Sequence, residues 1–151
     1  MKNRMILLCM MACLAGALNA QSFYDAKTGR RLAGKTGVNT YEVTGNTYVI
    51  KNNQLITTLN GELREDLIIA RFLRKDDRVI YYNPQEEMVG YYVPTEGRYY
   101  DQLEMKNESK DNQRALLYNG LIYTTGGDPA YRVDEGLEPE FIGFILFFFF
   151  C

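Results

Sequence analysis

The sequence predicts an all-β fold in which short antiparallel hairpins follow one another as a meander. A single curved sheet, a small sandwich and a barrel-like sheet all fit this pattern. Short runs of Tyr, Val, Ile, Leu, Phe and Thr recur along the chain, and these residues favour strands. Gly, Asn and Asp separate the runs, and the four prolines fall in or beside proposed turns. The chain ends in a continuous apolar run, which is typical of a strand covered on both faces.

The β-rich runs predict a series of strands along the chain. They are Thr40–Val43, Thr47–Lys51, Gln54–Leu59, Leu67–Arg74, Arg78–Tyr82, Met88–Val93, Arg98–Met105, Ala115–Tyr118, Leu121–Thr125, Tyr131–Val133 and Phe141–Phe150. Residues 62–75 also fit a helix, but their apolar side chains would surround most of it rather than form one stripe. The β-rich neighbours therefore favour a strand for 62–75.

Pairs of residues that tolerate positive φ separate these strands and predict tight hairpin turns. They are Gly45-Asn46, Asn52-Asn53, Asn60-Gly61, Asp76-Asp77 and Asn119-Gly120. Residues 106–114 contain no apolar side chain among KNESKDNQR, so they predict a long, polar surface loop.

The first twenty residues have the pattern of a secretory signal peptide. A basic start with Lys2 and Arg4 precedes the uncharged apolar stretch Met5–Leu18, which is shorter than a membrane span. Cleavage after Ala20 is the preferred prediction, and Ala15-Gly16-Ala17 is an alternative site. Two other readings are an uncleaved membrane anchor and a lipoprotein modified at Cys13. The expected location is the periplasm, the outer surface or the extracellular medium.

Composition restricts the function classes that remain. Residues 21–151 are enough for a single domain, and they carry 15 basic against 19 acidic residues, which disfavours nucleic acid as a partner. The chain has no histidine, which excludes Ser-His-Asp catalysis and His-based zinc sites. Cys151 is the one cysteine beyond the signal segment, so an intrachain disulfide is excluded there. We expect no cofactor and no enzymatic activity.

The C-terminal run Phe141–Phe150 carries most of the predicted core. It is too short for a transmembrane helix and lacks the alternation of a lipid-facing barrel strand. Burying its phenylalanines would contribute on the order of 10 kcal/mol, which is comparable with the net stability of a domain. The preferred prediction is a buried core strand, and a strand that docks on a partner is the alternative.

Aromatic residues stand before turn-forming residues at regular intervals. Tyr82-Asn83, Tyr100-Asp101 and Tyr118-Asn119 are spaced by 18 residues, and Tyr24-Asp25 opens a longer copy of the pattern. The segment 24–34, Tyr-Asp-x-x-x-Gly-Arg-Arg-x-x-Gly, resembles the tandem "YD..GR..G" hairpin units of small secreted proteins from Gram-negative bacteria, which also end in an aromatic-rich strand. That resemblance implies a β-meander architecture and no particular activity.

Candidate site residues follow from the paired tyrosines and the paired carboxylates. The paired tyrosines favour ordinary cross-strand packing. The alternative is that Tyr82, Tyr92 and Tyr100 form a row on one face across adjacent strands, suited to stacking on a glycan. The acidic residues form four pairs, Asp76/Asp77, Glu86/Glu87, Asp134/Glu135 and Glu138/Glu140. The preferred interpretation is that they are solvated hairpin tips, and the alternative is that two of them are the catalytic carboxyls of a hydrolase. No spacing matches a metal site. The first hypothesis is therefore a structural or interaction domain at the cell envelope, the second a glycan- or ligand-binding module, and the third a carboxylate-based hydrolase.

Overall fold

The structure is a computed structural model that describes residues 21–102, 112–124 and 126–150. Within these residues it contains twelve strands and one helix. The strands are β1 (Ser22–Asp25), β2 (Arg31–Gly37), β3 (Thr40–Val43), β4 (Asn46–Lys51), β5 (Gln54–Leu59), β6 (Glu62–Lys75), β7 (Arg78–Tyr82), β8 (Met88–Val93), β9 (Arg98–Asp101), β10 (Gln113–Tyr118), β11 (Leu121–Tyr123) and β12 (Pro129–Val133). The helix, α1, spans Pro139–Phe148.

The described strands form one antiparallel meander that closes into a barrel. Each strand pairs with its neighbours in the chain, and β1 pairs with β12 to complete the ring, with Phe23 opposite Val133. The prediction of an all-β, barrel-like meander is therefore confirmed. Residues 62–75 form the strand β6, so the strand interpretation of this segment was correct.

The hairpin turns follow the residue pairs that the sequence marks. Both central residues have positive φ at Asn52-Asn53, Asn60-Gly61, Asp76-Asp77 and Asn119-Gly120. The turn predicted at Gly45-Asn46 lies one residue earlier, at Thr44-Gly45, because Asn46 already pairs with Val43. These pairs let the chain reverse within two residues, as a meander of short strands requires.

Successive hairpins place their turns at alternating ends of the barrel. One end, which we call the entry rim, carries the turns at 38–39, 52–53, 76–77, 94–97 and 119–120, together with the connection 134–138 that leads into α1. The opposite end, the far rim, carries the turns at 26–30, 44–45, 60–61 and 83–87. Tyr82 and Tyr100 are separated by one hairpin and lie toward the same rim. Tyr118, which follows Tyr100 after the same number of residues, lies at the opposite rim.

The C-terminal apolar run occupies the interior of the barrel as a helix. Phe141–Phe147 are all buried. The rings of Phe141, Phe144 and Phe147 contact the aromatic side chains of Tyr41, Phe72 and Tyr99, respectively, which point inward from the barrel wall. The prediction that 141–150 is buried is therefore confirmed for 141–147, but the prediction that it is a strand is wrong. Each described strand already has a neighbour on both sides, so a further strand would find no backbone partner. A helix satisfies its own backbone groups and is therefore the form that fits inside a closed barrel.

Two glycines allow the helix and the wall to approach closely. A Cβ at Gly143 of α1 would lie 2.1 Å from the hydroxyl oxygen of Tyr81, and a Cβ at Gly90 of β8 would lie 2.3 Å from the ring of Phe147. Each glycine thus leaves the space that an aromatic ring from the opposite element fills.

Several predicted boundaries differ from the structure. The strands β1 and β2 were not predicted, and the predicted polar loop 106–114 is wrong at its end, because β10 begins at Gln113. The remainder of that loop, 106–111, lies outside the described residues, as do the signal segment 1–20, the C-terminal end of the predicted strand 98–105, and Cys151.

Candidate functional site

The tyrosines predicted as a binding row lie on two different faces of the sheet. Tyr92 points into the barrel with Tyr81 and Tyr99, and it is 6% exposed. Tyr82 and Tyr100 belong to a separate cluster on the opposite face, where Tyr100 is 5% exposed. The predicted row of Tyr82, Tyr92 and Tyr100 is therefore not formed, because side chains along a strand alternate between faces and the three strands are not in the register that the row requires.

Tyr82 is the most accessible of the three candidates, but a cation already covers its ring. The guanidinium of Arg71 lies 4.3 Å from the ring centroid, and Arg71 also forms an ion pair with Glu86. A ligand-binding role for Tyr82 stays a prediction.

The chemically richest cluster of the described residues lies at the entry rim, around the start of α1. We call it the rim cluster, and it consists of Lys35, Tyr41, Arg74, Glu138 and Glu140. All of its members except Lys35 line a cavity of about 170 Å³, whose apolar wall includes Ile50, Phe72 and Phe141. Strands β2, β3 and β6 supply the first three residues, and the chain entering the barrel supplies the two glutamates.

Glu138 is held by two donors from the barrel wall. The Nζ of Lys35 donates to Oε1 at 2.6 Å, and the hydroxyl of Tyr41 donates to Oε2 at 3.0 Å. Burial raises the pKa of Glu138, but the hydrogen bonds from Lys35 and Tyr41 and the charge of Lys35 outweigh it, so that the pKa lies below its ordinary value. The Glu138 carboxylate is therefore ionised at neutral pH.

The phenols in this region are held in the protonated state. Burial raises the pKa of Tyr41 above its usual value, and the hydrogen bond to Glu138 raises it further. Tyr81 and Tyr99 are fully enclosed, and burial raises both of their pKa values well above the ordinary range. Their hydroxyls donate to the carbonyl oxygens of Glu140 and Pro139, each at 2.9 Å. Tyr81 and Tyr99 are thus hydrogen-bond donors to the helix backbone, and Tyr41 is a donor to the side chain of Glu138.

Glu140 completes the rim cluster with an ion pair to Arg74, in which Nη2 lies 2.5 Å from Oε1. Glu140 lies in the first turn of α1, where a carboxylate also interacts favourably with the positive end of the helix dipole. The two candidate catalytic carboxyls, Glu138 and Glu140, are thus brought to one site, but each has a cationic partner. These contacts tie the start of α1 to strands β2, β3 and β6.

The other acidic pairs do not line this cavity. Asp76 and Asp77 form a hairpin turn, and Glu86 and Glu87 lie at the far rim, where they contact Arg71 and Asn83. Asp134 accepts hydrogen bonds from the backbone N–H of Ser22 and the hydroxyl of Tyr24. Within the described ranges, no group of three or more His, Cys, Asp or Glu side chains is arranged to hold a metal ion.

Sequence reasoning did not identify Lys35, Tyr41 or Arg74 as members of the site. Lys35 and Glu138 are 103 residues apart, and their contact depends on barrel closure and on α1 turning into the interior. The pair Glu138/Glu140 was one of four acidic pairs in the sequence, and nothing in the sequence indicated the cations that the fold brings to it.

Comparison with known proteins adds no family to this description. No protein-family model, curated protein or solved structure matches the chain. The resemblance to secreted hairpin-repeat proteins therefore stays an expectation. Across the part of the chain that the structure describes, no helix has both the length and the apolar character needed to cross a bilayer.

Proposed function

We propose that the protein is an exported, non-enzymatic β-barrel domain with a structural or interaction role at the bacterial cell envelope. The observation that carries this proposal is the filling of the barrel by the chain's own helix. Six apolar side chains of Phe141–Phe147 occupy the space in which a ligand-carrying barrel holds its ligand, and all are at most 7% exposed. The outer face and the two rims remain as the surfaces for contacts with partners.

The state of the rim carboxylates supports a non-enzymatic role. A hydrolase that uses two carboxyls needs one of them protonated near neutral pH, with a raised pKa. Glu138 has a lowered pKa because Lys35 and Tyr41 stabilise its ionised form, and Glu140 is engaged by Arg74. The contacts of both residues fit an anchoring role better than catalysis.

The export part of the proposal rests on the first twenty residues and on the hairpin pattern. The basic start, the short apolar stretch and Ala20 before Gln21 are typical of a cleaved signal peptide. The segment 24–34, which resembles units of secreted proteins, forms the β1–β2 hairpin with a turn at 26–30.

The alternative is a glycan-binding module that uses surface tyrosines. It is weakened because Tyr92 and Tyr100 are buried and the ring of Tyr82 is covered by Arg71. A glycan array probed with the purified protein tests it directly, and binding that is lost in Tyr82→Ala but retained in Tyr118→Ala would favour it. Tyr118 is the matched control because it is 62% exposed at the other rim.

Cell fractionation tests export. The full chain is produced in a Gram-negative host, and we expect it outside the cytoplasm with an N-terminus at Gln21 by mass spectrometry. A Leu8→Arg variant, which interrupts the apolar stretch, is the control and is expected to stay unprocessed in the cytoplasm. Wild-type protein retained in the cytoplasm with Met1 intact would contradict the proposal.

Two measurements test the role itself. Cross-linking in intact cells is expected to give discrete adducts with envelope components. If no adduct formed, that result would argue against an interaction role. The purified protein is expected to leave a panel of glycans and peptidoglycan fragments unchanged. Hydrolysis that disappears in Glu138→Gln would instead establish an enzyme.

A further inference from the structure

A second cleft at the entry rim has the composition of a binding site and is separate from the rim cluster. It lies between the β10–β11 turn and the connection 134–138, and its volume is about 560 Å³. This volume falls in the range of about 300–1,000 Å³ that ligand-binding clefts occupy. The residues that form it come from β10, β12, the connection and α1, so the cleft exists because the helix turns into the barrel at this point.

The floor of this cleft is aliphatic. Leu117, Val133, Leu137 and Ile142 line it, and the last three are at most 8% exposed as part of the main core. A floor continuous with a close-packed core is a fixed surface, because its side chains are held from behind. This floor can cover the methylene groups of an alkyl chain, and the polar side chains of Asn119, Asp134 and Glu135 lie around it.

The edge of the cleft carries two carboxylates, and they differ in their contacts. Asp134 accepts hydrogen bonds from Ser22 N, Tyr24 Oη and Arg132 Nη1 at 3.1, 3.2 and 3.3 Å, so its charge is already compensated. Glu135 is exposed and makes no hydrogen bond or ion pair with the described residues. No lysine or arginine lines the cleft within the described part of the chain. The site therefore presents one uncompensated negative charge above an apolar floor.

We propose that this cleft binds the side chain of a lysine presented by a partner polypeptide. The four-carbon stem of lysine buries its methylene groups on the aliphatic floor while the ammonium stays in water beside Glu135, as long cationic side chains do elsewhere. Lysine fits better than arginine because its compact, strongly hydrated ammonium suits an ion pair that stays in water at an exposed edge, whereas the weakly hydrated guanidinium is favoured in buried ion pairs. This inference names the group that the interaction role would recognise, and it rests on that proposed function.

A homologous series of small ligands tests the floor on unmodified protein. Ethylammonium, n-butylammonium and n-butanol are titrated separately, and the backbone amide signals of Glu135, Gly136 and Leu117 are followed by NMR. We expect affinity to rise about fourfold for each added methylene that the floor covers. We expect n-butanol to bind about two- to fivefold more weakly than n-butylammonium, because this is the loss of affinity expected when an exposed ion pair is absent. Equal affinity along the series would overturn the aliphatic floor.

A pair of matched variants tests the charge. Glu135→Gln is expected to weaken n-butylammonium binding two- to fivefold and to leave n-butanol binding unchanged. Glu62→Gln removes an equivalent exposed carboxylate at the far rim and is expected to change neither. The same weakening in both variants would show that net charge rather than this cleft attracts the cation, and it would overturn the proposal.

Blocked lysine and blocked arginine amides then distinguish the occupants. We expect Nα-acetyl-lysine methylamide to shift the amides around the cleft at a lower concentration than the arginine analogue, and the reverse order would assign the cleft to arginine instead. These titrations use purified protein, so their failure is separate from a failure of the export test. A cytoplasmic location would refute the envelope role, but it would not change the result of the lysine titrations.

Discussion

The two ends of α1 are held by different kinds of interaction. At the entry rim, two tyrosine hydroxyls donate to the carbonyls of Pro139 and Glu140, and ion pairs hold Glu138 and Glu140. Toward the far rim, rings surround the helix: Phe149 contacts Tyr48, and Phe150 contacts Phe23 and Tyr131.

This difference indicates that one set of contacts determines where the helix lies and the other determines how strongly it is held inside the barrel. Directional hydrogen bonds and ion pairs determine where the helix starts and how far it enters the barrel, whereas burial of apolar rings supplies most of the free energy that keeps it there. The far end also has one directional contact, in which Nη1 of Arg114 donates to the carbonyl of Leu146 at 3.0 Å. That bond satisfies a terminal carbonyl which the helix itself leaves without a donor.

Removing the helix tests the larger of the two contributions. Deletion of residues 141–151 is expected to abolish cooperative folding, because six apolar side chains that fill the interior would be lost. Their burial contributes on the order of 10 kcal/mol, against a net stability of about 5–15 kcal/mol for a typical domain. Chemical denaturation followed by circular dichroism measures this, with a chain that lacks Cys151 alone as the control. A cooperative transition in the longer truncation would show that the barrel stands without its filling.

Alkaline pH tests the hydroxyl contacts at the entry rim. Burial raises the pKa values of Tyr81 and Tyr99, so the folded state retains both protons at a pH where the unfolded chain has released them. Their contribution is complete below pH 10, and above it the free energy of unfolding should fall by about 1.4 kcal/mol per pH unit for each buried phenol.

Substitution of both tyrosines tests whether their phenols cause this decrease in the free energy of unfolding. Tyr81→Phe with Tyr99→Phe should flatten the decrease above pH 10 and cost about 0.5–1.5 kcal/mol per lost hydrogen bond at neutral pH. Denaturant titrations between pH 7 and 12 measure both effects, with Tyr118→Phe at an exposed position as the matched change. An unchanged slope in the double variant would assign the alkaline sensitivity to other groups.

The close approach of helix and wall predicts a smaller, local effect. Gly143→Ala places a Cβ 2.1 Å from the Tyr81 hydroxyl oxygen, and such overpacking costs about 1–3 kcal/mol. Alanine recovers about 1 kcal/mol of helix propensity, so a net loss of up to about 2 kcal/mol is expected from thermal denaturation. Gly126→Ala, which meets no atom within 4 Å, is the control. Stabilisation by Gly143→Ala would mean that the ring of Tyr81 moves aside freely.

We expect the smallest effect on stability, and one that depends on pH, from the ion pair between Lys35 and Glu138 at the start of the helix. The pKa of Glu138 is lowered in the folded state, so its contribution is present above the ordinary glutamate pKa and is lost as the pH falls through the lowered value. Because the pair is partly exposed, Glu138→Gln should cost about 0.2–1 kcal/mol at pH 7.

A pH series distinguishes this charge effect from a change in packing. The difference in melting temperature between wild type and Glu138→Gln is expected to shrink as the pH falls below the ordinary glutamate pKa, and to disappear once the carboxyl of the folded protein takes up its proton. Glu62→Gln, at an exposed position of the far rim, should show no such difference. A difference that persisted at low pH would assign the loss to packing instead of charge.

Local chemistry made much of the barrel wall predictable. Asn60-Gly61 and Asn119-Gly120 adopt the positive φ values that their residue types favour, and Gln54–Leu59 and Met88–Val93 are strands with the predicted bounds. The strand β2, Arg31–Gly37, was missed because its glycines and lysine lack β propensity, and its pairing with β1 and β3 stabilises it instead.

The site was less predictable than the wall for the same reason. Tyr92 and Tyr100 belong to strands that were predicted correctly, yet the face that each side chain occupies follows from register across three strands. Lys35 and Arg74 acquire a role only where α1 enters the barrel beside them.

The amino-acid sequence by itself determined that this chain forms short strands with tight turns and that its phenylalanine-rich end is buried. Only the tertiary structure decided that this end is a helix. A run that is apolar on every side fits a buried strand or a buried helix equally well, and its periodicity does not distinguish them. Closure of β1 onto β12 removed every free strand edge from the described sheet, and the backbone of Pro139–Phe148 then had to satisfy its hydrogen bonds within itself.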